Sequence, residues 1–185
     1  MDKFEQLKQK NWVSLFLLNE TELLNLCRVD NFLSSKPGGQ HRDKKASSVR
    51  LTLFNGDIVT TSSDSRSYQA NQKYAVNRLK IEIICKYRSE ISIKKCINLF
   101  HLEQYFTDAW LVKNGRINIA ANNKNYLIFA AIILDSLYIH EWNFRIVGKI
   151  FGVTASHLVK FLSKEKKLFV FVNMERQKLG MRPYN

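Results

Sequence analysis

The chain has 185 residues, of which 45% are hydrophobic and 24% charged, proportions typical of a globular protein rather than a disordered one. Its 29 lysines and arginines against 16 aspartates and glutamates give a formal net charge of +13, which favours a polyanionic partner such as nucleic acid. Two prolines, seven glycines and no run of about 18 apolar residues argue against a collagen-like chain, a low-complexity chain and a transmembrane helix.

The distribution of charge, the cysteines and the first residues give further general expectations. The excess of basic residues is present in both halves of the chain; the alternative to a polyanionic partner is simply the Lys-, Asn- and Ile-rich composition of an AT-rich genome. Cys27, Cys85 and Cys96 form no CxxC pair, so we expect reduced, buried thiols, no metal site and no cofactor. The first five residues lack the order of a signal peptide, so we expect a soluble cytoplasmic protein.

The first part of the chain predicts a small sheet with helices. A capped short helix is expected to begin at Asn19, and residues 27–33 are compatible with a strand. Pro37, Gly38 and Gly39 interrupt regular structure, so residues 34–48 are expected to form a basic loop.

Two strands about a tight turn come next. Residues 49–53 alternate apolar and polar side chains, Asn55-Gly56 is a strong hairpin signal, and residues 57–61 lead back. Apolar and basic residues then share the stretch from Tyr68 to Tyr87, which predicts one amphipathic helix.

The second part of the chain predicts helices alone. Apolar residues between Leu99 and Leu111 form one stripe at helical spacing, and residues 126–140 predict a strongly apolar helix. Residues 142–151 and 155–162 indicate a helix-turn-helix with Thr154 as N-cap, and a last helix is expected from Lys167 to Lys178. We therefore predict an α+β domain with a small antiparallel sheet over residues 1–90, followed by a basic all-α domain over residues 91–185.

The predicted loop carries the features of a functional segment. Gly38 and Gly39 have no Cβ, so their backbone N–H groups can approach a ligand closely, and the flanking cations can hold the loop against phosphates. Paired carboxylates, a Ser-His-Asp set and a metal cluster are not evident elsewhere in the sequence. Backbone donors and an RNA partner would then do much of the chemical work.

These residues carry a family resemblance. The string Pro37-Gly38-Gly39-Gln40-His41, the Val49-Arg50-Leu51 strand, the Asn55-Gly56 turn and Arg66-Ser67-x-x-x-Asn71 together resemble the peptidyl-tRNA hydrolysis domain of class I peptide chain release factors. The resemblance covers roughly residues 20–85. This sequence differs from the family's usual residues at Lys36, Arg42-Asp43 and Tyr68.

The resemblance implies a reaction and its partners. Gly38, Gly39 and Gln40 would enter the peptidyl transferase centre of the ribosome and trigger hydrolysis of the ester between peptide and P-site tRNA. The backbone N–H of Gln40 would stabilise charge on the reacting oxygens, and its side chain would select water. A glutamine methyltransferase acting on Gln40 is a further implied partner, and we expect a monomer that does not bind membranes.

Contacts with ribosomal RNA are expected from basic residues near the loop and in the second domain. They are Lys36, His41, Arg42, Lys44, Lys45, Arg50 and Arg66 near the loop, and Lys160, Lys164, Lys166 and Lys167 in the second domain. Ser156 and His157 are expected on the same exposed helix face as Lys160. The alternatives are that the helix pair only packs, and that His101, His140 and His157 have structural roles.

The function implied most directly is codon-independent ribosome rescue, because a stop-codon-reading domain is expected to need more residues than precede the first helix. The alternatives are a non-catalytic ribosome- or RNA-binding homologue and a DNA-binding regulator built on the helix pair. The intact Pro-Gly-Gly-Gln string argues against the first, and the basic first half argues against the second.

Overall fold

The structure is a computed structural model that describes residues 10–33 and 46–184. The described residues form two compact units, residues 14–33 with 46–83 and residues 10–13 with 84–184. In chain order the elements are α1 (Trp12–Phe16), α2 (Glu20–Asn25), β1 (Cys27–Phe32), β2 (Ser48–Leu53), β3 (Ile58–Ser62), α3 (Tyr68–Lys86), α4 (Ile93–Leu99), α5 (Tyr126–Ile139), α6 (Phe144–Phe151), α7 (Ala155–Leu162) and α8 (Lys166–Lys178).

A three-stranded antiparallel sheet in the order β1-β2-β3 organises the first unit. Alternate residues of β2 are buried, Val49, Leu51 and Leu53, whereas Arg50 between them is exposed, as the sequence pattern predicts for a half-buried strand. The predicted Asn55-Gly56 turn is confirmed. Gly56 adopts a φ of 104°, a region that residues with a Cβ rarely enter.

Two helices of this unit also agree with the sequence. Asn19 caps α2 through a reciprocal capping box, in which its side chain accepts from Glu22 N and the Glu22 carboxylate accepts from Asn19 N. The predicted long helix is α3. It lies against β3, because Thr60 Oγ1 donates to the carbonyl of Ala75 at 3.2 Å.

The second unit is built around α5, which is buried along most of its length. Phe129 stacks on Phe106, with ring centroids 5.2 Å apart, and meets Phe161 edge-on at 6.4 Å. The predicted helix pair is present as α6 and α7. Thr154 caps α7 by accepting from His157 N, as expected.

The predicted helical stripe between Leu99 and Leu111 is wrong. Helix α4 ends at Leu99, His101 and Trp110 have φ values of 53° and 58°, and Phe106 pairs with Val112 in an isolated antiparallel bridge. Leu102 and Phe106 are buried as a helix would bury them, but turns and the bridge present them instead. A short apolar run therefore reproduces the spacing of a helix without its backbone.

Among the described helices, none is both long enough and apolar enough to cross a lipid bilayer.

One carboxyl group lies inside the apolar second unit. Asp135 on α5 accepts from Trp12 Nε1 at 2.5 Å and pairs with Arg88 Nη1 at 3.3 Å, while Arg88 also donates to the carbonyl of Ile84. Burial raises the pKa of Asp135 to about 6, although the Trp12 hydrogen bond, the Arg88 charge and a hydrogen bond from the Ser89 backbone act in the opposite direction. The neutral carboxyl is therefore favoured by folding.

This raised pKa predicts how stability changes with pH. Because the folded chain holds the Asp135 proton more tightly than the unfolded chain, the free energy of unfolding should fall as the pH rises from about 4 to about 6. The contribution should be at most about 3 kcal/mol. Asp135→Asn keeps an oxygen for Trp12 and removes this dependence, which urea denaturation across that pH range will measure. Exposed Asp108→Asn is the control, and an equal pH dependence in wild type and Asp135→Asn would contradict the prediction.

Candidate functional site

The candidate catalytic segment joins two paired strands. Phe32 at the end of β1 pairs with Ser48 at the start of β2, so the chain leaves β1 and enters β2 at the same end of the sheet. Lys36, Gly38, Gly39, Gln40, His41, Arg42, Lys44 and Lys45 lie outside the described residues, and their roles stay predictions. The described residues show what holds the returning end of this segment.

Asn71 on α3 anchors that end. Its amide Nδ2 donates to the carbonyls of Ser47 and Ser65, both at 2.8 Å, and its Oδ1 accepts from Ser65 N at 2.9 Å and from Ser62 Oγ at 3.3 Å. The residue is fully buried, and both amide donors are used. Its Oδ1 has a full hydrogen bond from Ser65 N and shares the single Ser62 hydroxyl proton with the nearer Asp64 carboxylate. One side chain thus joins the start of β2, the end of β3 and the following loop.

The spacing of the Arg66-Ser67-x-x-x-Asn71 signature has its cause in helix geometry. The Ser67 hydroxyl accepts from Ala70 N at 3.4 Å, and Asn71 N donates to the carbonyl of Ser67 at 3.0 Å. Ser67 is therefore the N-cap of α3. Asn71, four residues later, lies at the end of the first helical turn, where its side chain reaches Ser47 and Ser65. In the sequence this signature indicated only a family resemblance. The structure shows that Asn71 is needed there to bind the carbonyls of Ser47 and Ser65, a contact that no local sequence pattern identifies.

A second brace stabilises the loop after β3. Asp64 Oδ2 accepts from Ser62 Oγ at 2.9 Å and pairs with Arg78 Nη2 at 2.7 Å. Arg78 also donates to the carbonyl of Thr61 at 2.5 Å. Since Arg78 and Asp64 are both partly exposed, this brace contributes less to stability than the buried Asn71 amide.

Arg66 lies beside the anchored end. Its exposed side chain lines an open groove of about 480 Å³, together with Ser47, Ser67 and Tyr68. Arg50 is exposed on the outer face of the sheet, with its guanidinium 5.2 Å from the centroid of the Phe32 ring. Both positions allow contact with phosphates, and the predicted RNA contacts of Arg66 and Arg50 stay predictions.

The basic residues of the second unit differ in their surroundings. Lys160, Lys164, Lys166 and Lys167 are all exposed, and the Lys164 ammonium in addition donates to the carbonyl of Ile119 at 2.7 Å. The expectation of an exposed His157 is wrong. It is half-buried, and its Nε2 accepts from Ile117 N at 2.9 Å. The structural role weighed for His157 is the one observed.

Close packing shapes the helix pair itself. Gly148 on α6 has no space for a side chain, because a Cβ would lie 2.7 Å from the carbonyl oxygen of Val153. Gly152 then ends α6 with a φ of 66°. These two glycines fix the turn between the helices.

The described residues contain no group of three His, Cys, Asp or Glu side chains placed to bind a metal ion. Burial raises the pKa of the Cys27 and Cys96 thiols to about 11 and that of Cys85 to about 12. These thiols therefore stay protonated near neutral pH and are poor nucleophiles.

Comparisons with known proteins match the first part of the chain. The RF-1 domain family matches residues 21–98. The chain is 40% identical over 63 residues to peptide chain release factor 1 of Xylella fastidiosa (strain 9a5c). This alignment covers 34% of this chain and 18% of that protein. The chain is also 40% identical over 73 residues to peptide chain release factor 1 of Geobacillus kaustophilus (strain HTA426), and that alignment covers 40% of this chain and 19% of the relative.

These matches are partial. The chain spans less than a fifth of the length of the curated relatives it matches. No solved structure matches it. The similarity therefore covers the sheet and α3, continues into the first residues of the second unit, and ends at residue 98.

Replacement of Asn71 tests the anchor. Asn71→Ala should lower the free energy of unfolding by roughly 2–4 kcal/mol, because it leaves the Ser65 N–H and two carbonyls without their partner. Asn77→Ala, at an exposed position of the same helix, is the control and should change little. Urea denaturation followed by circular dichroism measures both. Equal, small effects would show that Asn71 does not anchor the segment.

Proposed function

We propose that the protein acts on the ribosome as a release factor that hydrolyses peptidyl-tRNA, and that it does so without reading a codon. The match of residues 21–98 to the RF-1 domain family supports the release activity. Water adds across the ester that joins the peptide to the P-site tRNA. The products are the free peptide carboxylate and the tRNA 3′ hydroxyl. Its partners would be ribosomal RNA, the peptidyl transferase centre and P-site tRNA, and its site of action the cytoplasm.

The observation that carries this proposal is the Gly38-Gly39-Gln40 sequence between β1 and β2, whose facing ends Phe32 and Ser48 are paired, while Asn71 binds the carbonyl of Ser47 just before β2. Fixed ends on both sides of this sequence would help it to deliver backbone N–H groups to a site that the ribosome completes. There the N–H of Gln40 would stabilise the developing oxyanion, the Gln40 side chain would exclude larger nucleophiles, and Gly38 and Gly39 would permit close approach. Methylation of Gln40 by a glutamine methyltransferase belongs to the same proposal.

Codon independence is proposed from the helical part of the chain that comes after the RF-1 match. The described residues beyond residue 98 make up most of the helical second unit and include exposed Lys160, Lys166 and Lys167. Cations of this kind bind RNA phosphates without reading sequence. We assign this unit to ribosome affinity or target choice, and the chemistry to the Gly38-Gly39-Gln40 segment.

Peptide release from defined ribosome complexes tests the reaction. The protein should release peptide from ribosomes with peptidyl-tRNA in the P site and an empty A-site codon. Gly39→Ala should lower the release rate by at least about a hundredfold with little change in binding, because the added Cβ blocks the approach of the backbone. Release only with a stop codon would exclude codon independence. Binding without release by the wild type would favour the non-catalytic homologue.

The salt dependence of binding tests the proposed RNA contacts. Replacing Lys44, Lys45 and Arg66 with Gln should weaken ribosome binding and lower the slope of log K against log salt by about one unit for each lost phosphate contact. A control that replaces exposed Lys73, Lys95 and Lys124 removes the same charge elsewhere. An identical slope in the wild type and the Lys44, Lys45 and Arg66 variant would remove these residues from the interface.

A further inference from the structure

An irregular segment of the second unit, residues 112–119, is bound at three points to the helix pair and to the turn that follows it. Val112 N donates to the carbonyl of Phe151 at 2.9 Å, Ile117 N donates to His157 Nε2 at 2.9 Å, and Lys164 Nζ donates to the carbonyl of Ile119 at 2.7 Å. We call residues 112–119 the strap. Ordinary packing of two helices does not require it.

The strap has one buried side and one exposed side. Ile117 and Ile119 are 3% and 2% exposed, whereas Arg116 and Asn118, which alternate with them, are exposed. The turn that precedes them is left-handed at two consecutive residues, with φ values of 60° at Asn114 and 58° at Gly115. The chain thus makes a tight turn immediately before Arg116.

A pocket of about 530 Å³ opens beside the strap, a size in the range of small-ligand sites. Its lining includes the half-buried ring of Tyr105, which meets the buried ring of Phe129 edge-on at 5.3 Å. The amide side chains of Gln104, Asn114 and Asn118 and the cations Lys113 and Arg116 complete its polar part. None of the described residues that line it is acidic.

His157 also belongs to this lining, and its Nε2 accepts the hydrogen bond from Ile117 N. The pocket thus combines one accessible aromatic ring, amides that can both donate and accept, and two cations. These are the groups with which proteins hold a splayed-out base and its phosphate.

We propose that this pocket binds one unstacked nucleotide of single-stranded RNA, with the base beside Tyr105 and a phosphate near Lys113 and Arg116. The amides of Gln104 and Asn118 meet the edge of the base. The pocket lies outside residues 21–98, so the RF-1 domain does not account for it. The choice of RNA over DNA rests on the proposed function, whereas binding itself needs neither ribosomes nor peptide release.

Binding of two labelled hexamers to the intact protein tests this proposal by fluorescence anisotropy. One is a hexaribonucleotide of random sequence, and the other has the same backbone with abasic residues. The wild type should bind the first about tenfold more tightly, because base stacking adds to the phosphate contacts. Tyr105→Leu should abolish that difference, and Tyr105→Phe should retain it.

Charge variants separate the phosphate contacts from general electrostatics. Lys113→Gln with Arg116→Gln should weaken binding of both hexamers about tenfold or more. The control, Lys95→Gln with Lys124→Gln, removes the same charge at exposed positions away from the pocket and should weaken binding less. If Tyr105→Leu fails to fold by circular dichroism, Gln104→Ala with Asn118→Ala, at two exposed positions, replaces it and should also reduce the preference for bases.

Two results would overturn the inference. Equal binding of the two hexamers by the wild type would mean a surface for phosphates alone. A Lys113 and Arg116 variant that binds like the control would place the RNA elsewhere on the protein. Because the hexamers are bound without ribosomes, either result would leave the proposed release activity to be judged by its own assay.

Discussion

The buried amide of Asn71 is the interaction on which the candidate site depends. It joins the start of β2 to the loop after β3 through hydrogen bonds to Ser47, Ser62 and Ser65, and it does so from the first turn of the longest helix. An uncharged side chain suits this role, because two carbonyl acceptors and an N–H donor must be satisfied together away from water. A carboxylate at the same place would accept but would not donate.

In this arrangement the residues that position the candidate catalytic segment differ from those proposed to carry out the reaction. The sheet, α3 and the Asn71 hydrogen bonds position the ends of the segment that contains Gly38, Gly39 and Gln40. Under the proposed function the reacting groups are backbone N–H groups and one amide, and the remaining walls of the active site come from RNA. The high pKa values of the thiols agree with this division, since Cys27, Cys85 and Cys96 are unsuited to nucleophilic attack.

Local signals predicted a large part of the fold. Capping residues such as Asn19 and Thr154, the Asn55-Gly56 turn and the alternation along β2 act within a few residues, so a sequence pattern records them directly. The stripe from Leu99 to Leu111 misled because burial of Leu102 and Phe106 does not require a helix. The strap was not foreseen, since its partners His157 and Lys164 lie some 40 residues from the backbone groups that they bind.

Under the proposed function, the Gly38-Gly39-Gln40 segment acts through its backbone N–H groups and one amide, and no ionisable side chain of this protein carries the chemistry. The most direct measurement is the single-turnover rate of peptide release by Asn71→Ala, at saturating protein and at a temperature where the variant is folded. We predict a rate at least about tenfold below that of wild type, with ribosome affinity nearly unchanged, because misplacement of a donor by about 1 Å can have effects of this size. A folded variant that binds and releases peptide at the wild-type rate would contradict the claim.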